Sequence, residues 1–158
     1  MEKGESGRWL TVDEQRAWRT YLEVGTLLLN QLGRDLEPFG LTINDYEILV
    51  NLSETPEHRM RMTDLARATL QSKSRLSHQI TRMETAGLVR RENCESDRRG
   101  LFTVLTEEGW ETMRKVAPHH VASVREHFID LLPAEDQAAL RRALGPVADH
   151  LRARRGTH

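Results

Sequence analysis

Ser72-Lys-Ser-Arg-Leu-Ser-His-Gln-Ile-Thr-Arg-Met-Glu-Thr-Ala-Gly87 is the stretch that decides the fold. Ser72 stands where a helix N-cap belongs and Gly87 where a C-terminal stop belongs. Between them Leu76, Ile80 and Met83 fall at i, i+4 and i+7, the spacing of one core-facing stripe. Arg75, His78, Gln79 and Arg82 recur at i, i+3, i+4 and i+7 on a second face, with Ser74 and Ser77 beside them. That face is basic and rich in donors. Major-groove reading of DNA uses such groups: arginine forks onto guanine O6 and N7, glutamine onto adenine N6 and N7, and hydroxyls reach phosphates or base edges. The plainer reading is an ordinary solvated helix face, so the surrounding sequence has to decide between them.

Upstream, Thr63 is expected to cap a short helix carrying Leu65, Ala66 and Leu70. Before that, Thr42 opens a helix with Ile43, Tyr46, Leu49, Val50 and Leu52 that stops ahead of Pro56. Downstream, Leu88 to Asn93 and Gly100 to Leu105 are short β-prone runs flanking a polar turn from Cys94 to Arg99, the pattern of a hairpin. Helix, short helix, turn, helix, hairpin is the order of a winged helix-turn-helix, here over residues 42–105. Arg98 and Arg99 fall at the hairpin tip, where an arginine can enter a narrow minor groove. Asp97 would be repelled by phosphate and is expected to pair with a nearby arginine, fixing the loop.

Long helices flank this lobe. Thr11 and Glu14 have capping-box spacing. Behind them Trp18, Tyr21, Leu22, Leu28, Leu29, Leu32 and Leu36 form one amphipathic stripe that ends at Pro38 and Gly40. Thr106-Glu-Glu opens another helix carrying apolar residues as far as Leu131, with Pro118 expected to kink or split it. Pro133 opens the last, with Leu140, Leu144, Val147 and Leu151, disturbed at Gly145-Pro146. The fold class is therefore mainly α with a small β-hairpin.

The chain has 158 residues, 38% hydrophobic and 30% charged, with a formal net charge of −1. That length suits one domain with a real core. No run approaches the ~20 apolar residues of a membrane span, and Met1 to Gly7 lacks the apolar region of a signal peptide. A soluble, cytoplasmic protein is expected. The charge is unevenly spread: between His58 and Arg99 ten basic residues face five acids. A basic middle on an acidic frame suits a polyanion-binding module.

The ordered set Thr63-Asp-Leu-Ala, Ser72-Lys-Ser-Arg-Leu-Ser, Met83-Glu-Thr-Ala-Gly-Leu-Val-Arg90, Asp97-Arg-Arg99 and Leu105-Thr-Glu-Glu-Gly109 resembles the multiple-antibiotic-resistance-regulator (MarR) family. The resemblance covers nearly the whole chain. It implies a single MarR-type domain over 1–158, with helices in 10–37 and 106–155 interlocking two copies into a homodimer. It also implies that Ser74, Arg75, Ser77, His78 and Gln79 lie on a recognition helix; Ser72, Lys73 and Arg82 beside them are read as DNA-binding too. Arg98 and Arg99 then belong to the wing, and Asp97 takes the wing-stabilising place. A homodimer suits the unpaired apolar stripes, and two recognition helices about one turn of DNA apart, ~34 Å, read a pseudo-palindrome.

Other signals point less clearly. Cys94 is the single cysteine, set beside acids near the wing, and is read as a plain small residue. One branch of the family senses hydroperoxides through a cysteine in its first helix, and that helix has none here. His120 and His127 share a helical face, but no set of metal-ligand partners is identifiable, so no metal and no cofactor is expected. Trp18, Tyr21 and Trp110 suit a core as well as a pocket. A small aromatic effector follows from the resemblance, without a site that can be placed. No phosphate-cradling glycine loop or nucleophile elbow is present, so the chain is not expected to be an enzyme. The expectation is a ligand-responsive repressor binding double-stranded DNA. The competing reading is a winged helix used only for protein–protein contact.

Overall fold

Four hydroxyl side chains set the starts of four helices in the computed structural model, which describes residues 8–94 and 97–155, and the side chains of all of these except 97–99. Thr11 and Glu14 close a reciprocal capping box at the head of α1 (Val12–Leu36). Thr42 and Asp45 do the same for α2 (Ile43–Ser53). The Ser72 hydroxyl accepts from the Arg75 N–H at the head of α4 (Lys73–Thr85). Thr106 caps α5 (Glu107–His127) by accepting from the Gly109 N–H. Each bond satisfies a backbone donor that the first helical turn leaves open.

The hairpin consists of β2 (Val89–Cys94) and β3 (Asp97–Leu105), antiparallel, with a register shift between Asn93 and Cys94. A third strand, β1 (Arg59–Arg61), adds to the free side of β3, giving the order β1-β3-β2. The sequence reading did not include β1: three residues carry no readable alternation, and their partners Phe102, Thr103 and Val104 lie far along the chain. The strand runs straight into α3 (Met62–Ala68), whose N-cap is Arg61 without a side-chain cap bond. Thr63 is therefore inside the first turn and does not cap it. The short helix holds with Leu65 and Ala66 buried in it, but its expected cap does not, and Leu70 lies past its end, exposed.

α5 is not split at Pro118, and Val116 and Ser123 on either side of it are buried. It ends at His127, sooner than its apolar pattern suggests, and Ile129–Leu131 form a separate 3-10 turn. α6 (Ala134–Arg155) likewise continues through Pro146.

The core is built from Ile48, Leu49 and Leu52 of α2, Leu65 of α3, Leu76, Ile80 and Met83 of α4, Val89 and Leu105 of the sheet, and Val116 of α5. It lies within the winged-helix lobe, with α5 as its roof. Gly109 explains the Leu-Thr-x-x-Gly spacing in physical terms. A Cβ there would lie 2.0 Å from the Leu88 carbonyl oxygen, so only glycine lets α5 seat against the turn before β2. α1 joins α5 through Asp35, which accepts from the Ser123 hydroxyl and lies 3.4 Å from His127 Nε2.

The terminal helices are different in kind. Trp18 and Tyr21 of α1 stack on each other while 52% and 55% exposed. No residue of α6 is buried. Leu22 and Leu29 of α1, and Val147 and Leu151 of α6, are also open. None of the described helices is long and apolar enough to cross a membrane.

Candidate nucleic-acid interface

α4 presents its two faces much as its periodicity implies. Leu76, Ile80 and Met83 are fully buried, and Ser74, Arg75, Ser77 and His78 are exposed together with Ser72 and Lys73. The first turn of α4 holds no acid. Arg75 makes no ion pair among the described residues, so its guanidinium is available to an outside acceptor. Arg82 is half exposed, but its Nη2 donates to the Asp45 carboxylate at 2.5 Å.

Gln79 departs from the sequence reading. It is 9% exposed and donates its Nε2 to Asp45 Oδ1 at 3.0 Å, so it belongs to the interior face and not to the reading face. At about 100° per residue Gln79 lies midway between Arg75 and Met83 around the helix. A border position is settled by what it meets, and here it meets a buried carboxylate on another helix.

Asp45 is the functional residue that the sequence reading missed. It is 1% exposed, and Thr42 N–H and Oγ1 donate to it at 2.8 and 2.7 Å, in addition to Gln79 and Arg82. Burial pushes its carboxyl up, but the donors from Arg82, Thr42 and Gln79 outweigh burial and hold it below the usual carboxylate range. The Thr-x-x-Asp spacing at 42–45 signals the cap. Nothing local signals that the same carboxylate reaches α4.

A second tie fixes the other side of α4. Arg91 of β2 pairs with Glu84 at 2.6 Å and donates to the Ser77 carbonyl at 2.8 Å and to Thr81 Oγ1 at 3.0 Å. The recognition-type helix is thus pinned to α2 on one edge and to the wing strand on the other. Arg59 and Arg61 of β1 lie over the Phe102 ring, 4.9 and 5.5 Å from its centroid.

Asp97, Arg98 and Arg99 belong by backbone to β3. Their side chains lie outside the described residues, as do Glu95 and Ser96. Cys94 is buried, and among the described residues the Arg61 guanidinium donates to its Sγ at 3.2 Å. The three histidines of α5 do not converge: His119 lies against Phe39, His120 against Tyr46 and His127 beside Asp35. Burial lowers the pKa of His120. No cluster of three or more potential metal ligands occurs among the described residues. Tyr21 and Trp110 line different cavities. The larger, about 810 Å³, is walled by Tyr21, Val24 and Leu28 of α1, by Phe128, and by Leu140 and Leu144 of α6.

A winged helix with a donor-rich, acid-free reading face defines a class of DNA-type binding modules, and comparison with known proteins narrows it. The sequence profile described as MarR family matches residues 39–100. The chain is 75% identical to AbsC, a MarR family transcriptional regulator from Streptomyces coelicolor, over 92% of this chain and 99% of that one, with a TM-score of 0.90. It is 45% identical to Sco3205, a MarR family regulator of the same organism solved in complex with DNA, over 94% and 93% of the two chains, also with a TM-score of 0.90. Among curated proteins it is 27% identical to the HTH-type transcriptional regulator PecS of Dickeya dadantii, over 90% of this chain and 86% of that protein. The chain belongs to the MarR family of transcriptional regulators.

Proposed function

We propose that this protein is a cytoplasmic, ligand-responsive repressor that binds duplex DNA as a homodimer at a pseudo-palindromic operator. The observation that carries this reading is the α4 surface: Ser74, Arg75, Ser77 and His78 exposed together, with no acid in the first turn of the helix. Residues 42–105 are the DNA-binding lobe. Arg75 and His78 reach base edges, Ser72, Lys73, Ser74 and Ser77 reach phosphates or bases, and Arg82 stands at the edge of the groove, held by Asp45. Arg98 and Arg99 project from the wing into the minor groove, with Asp97 bracing it. Sco3205, solved with DNA, supports the same use of the lobe here. A winged helix that only docks a protein has no need of this cationic face, and the DNA reading is favoured over it.

The homodimer rests on the terminal helices, residues 10–37 and 106–155. Their apolar stripes are open along α1 and α6, and the cavity between them is almost purely apolar. A monomer would leave this surface wet, and a second copy would cover it. A small aromatic effector acts by favouring one spacing of the two α4 helices over another. Selection of bound sequences from random duplex DNA tests the reading. The expected outcome is an inverted repeat whose half-sites lie about one helical turn apart. Recovery of no common sequence, with binding indifferent to salt, would assign the winged helix to a protein partner.

A further inference from the structure

The far end of α6 returns to the helix-turn-helix. Arg155 Nη2 donates to the Leu70 carbonyl oxygen at 2.8 Å. Leu70 lies in the turn between α3 and α4, exposed and with a φ of 55°, three residues before the start of the reading helix. Beside this contact opens a cleft of about 770 Å³ whose walls come from α3, the turn, the start of α4 and the end of α6. Arg67, Lys73, Arg152 and Arg155 line it, and among the described residues no carboxylate does. Arg67 and Arg152 each have an acid one turn back on their own helix, Asp64 at 3.7 Å and Asp149 at 2.9 Å. Such exposed pairs are worth little and yield readily to a phosphate. Lys73 and Arg155 make no ion pair among the described residues. The Gln71 carboxamide lines the same cleft, and among the described residues neither its nitrogen nor its oxygen has a hydrogen-bond partner.

We propose that this cleft is a second phosphate-binding site for DNA, in which Arg152 and Arg155 of the C-terminal helix join Arg67 and Lys73 on the backbone beside the groove read by α4. The proposal rests on the DNA-binding reading above. The cleft adjoins the N-terminal end of α4, so a duplex seated on that helix carries its phosphates past it. Arg152 and Arg155 sit at the C-terminal end of α6, where the helix dipole favours positive charge. Contacts of this kind add affinity and salt dependence without sequence information.

The test uses the full-length protein, Arg155→Gln and the double variant Arg152→Gln/Arg155→Gln. Binding to a selected operator duplex and to a scrambled duplex of equal length is followed by fluorescence anisotropy from about 50 to 200 mM salt. Both arginines are exposed, and a melting curve verifies that the variants fold. The slope of log affinity against log salt should fall by about 0.9 for each arginine lost. Bound as a homodimer, the double variant lacks four arginines per complex, so across that span the wild type should lose roughly a hundredfold more affinity than the double variant, equally on both duplexes. An unchanged slope would overturn the proposal, as would loss on the operator alone, or a change only in oligomeric state by sedimentation. A wild type that ignores both duplexes would instead bring down the DNA-binding reading itself.

Discussion

The Asp45 carboxylate of α2 holds the Arg82 guanidinium of α4 at 2.5 Å, across 37 residues of sequence. The same carboxylate caps its own helix and receives Gln79. One buried charge therefore sets where α4 stands relative to the lobe that carries it. The orientation of the reading face depends on it as much as on the apolar stripe beneath.

Replacing Asp45 by Asn should destabilise the fold by about 1–3 kcal/mol, the usual range for losing hydrogen bonds to a buried charged group. The pH dependence has a definite sign. The carboxyl titrates below its ordinary value in the folded state, so its contribution is present above the unfolded value of about 3.9 and fades as pH falls through the folded one. Urea denaturation of wild type and Asp45→Asn should differ by a constant amount between pH 7 and about 5, and converge in stronger acid. A gap that widens on acidification would show that Asp45 is not the ionised anchor.

Gln79→Ala separates an interior role from base reading. The substitution should lower stability by about 1–2 kcal/mol while leaving the preferred DNA sequence unaltered. A changed base preference with unchanged stability would return Gln79 to the groove.

Gly109→Ala should be severe for its size. The added methyl meets the Leu88 backbone oxygen, which cannot swing aside as a flexible side chain can. Thermal melting should show a loss at or above the ~1–3 kcal/mol typical of overpacking, and full wild-type stability would mean that α5 shifts freely against the lobe.

Arg99→Ala should weaken binding most on operators whose flanks are A·T-rich and narrow in the minor groove. Equal loss on every flank composition, measured with a set of matched duplexes, would reduce the wing to a general phosphate contact.

What could be read in the sequence was local. Thr11, Thr42, Ser72 and Thr106 announced their helices because a cap and its target are three residues apart. Leu76, Ile80 and Met83 announced the buried stripe of α4 because a helix repeats every 3.6 residues. What could not be read needed a distant partner. β1 is a strand only because β3 offers it a free edge, and Gln79 is interior only because Asp45 comes to meet it from α2. Pro118 did not split its helix: α5 runs on from Glu107 to His127, with Val116 and Ser123 buried on either side of the proline.

The most direct test of the central claim, that the open face of α4 reads bases, is sequence selection from random duplex DNA repeated with Arg75→Ala. The expected result is relaxed preference at one base pair in each half-site, related by the dyad, with discrimination there reduced by about 1–3 kcal/mol. Uniformly weaker binding with the preferred sequence intact at every position would contradict it.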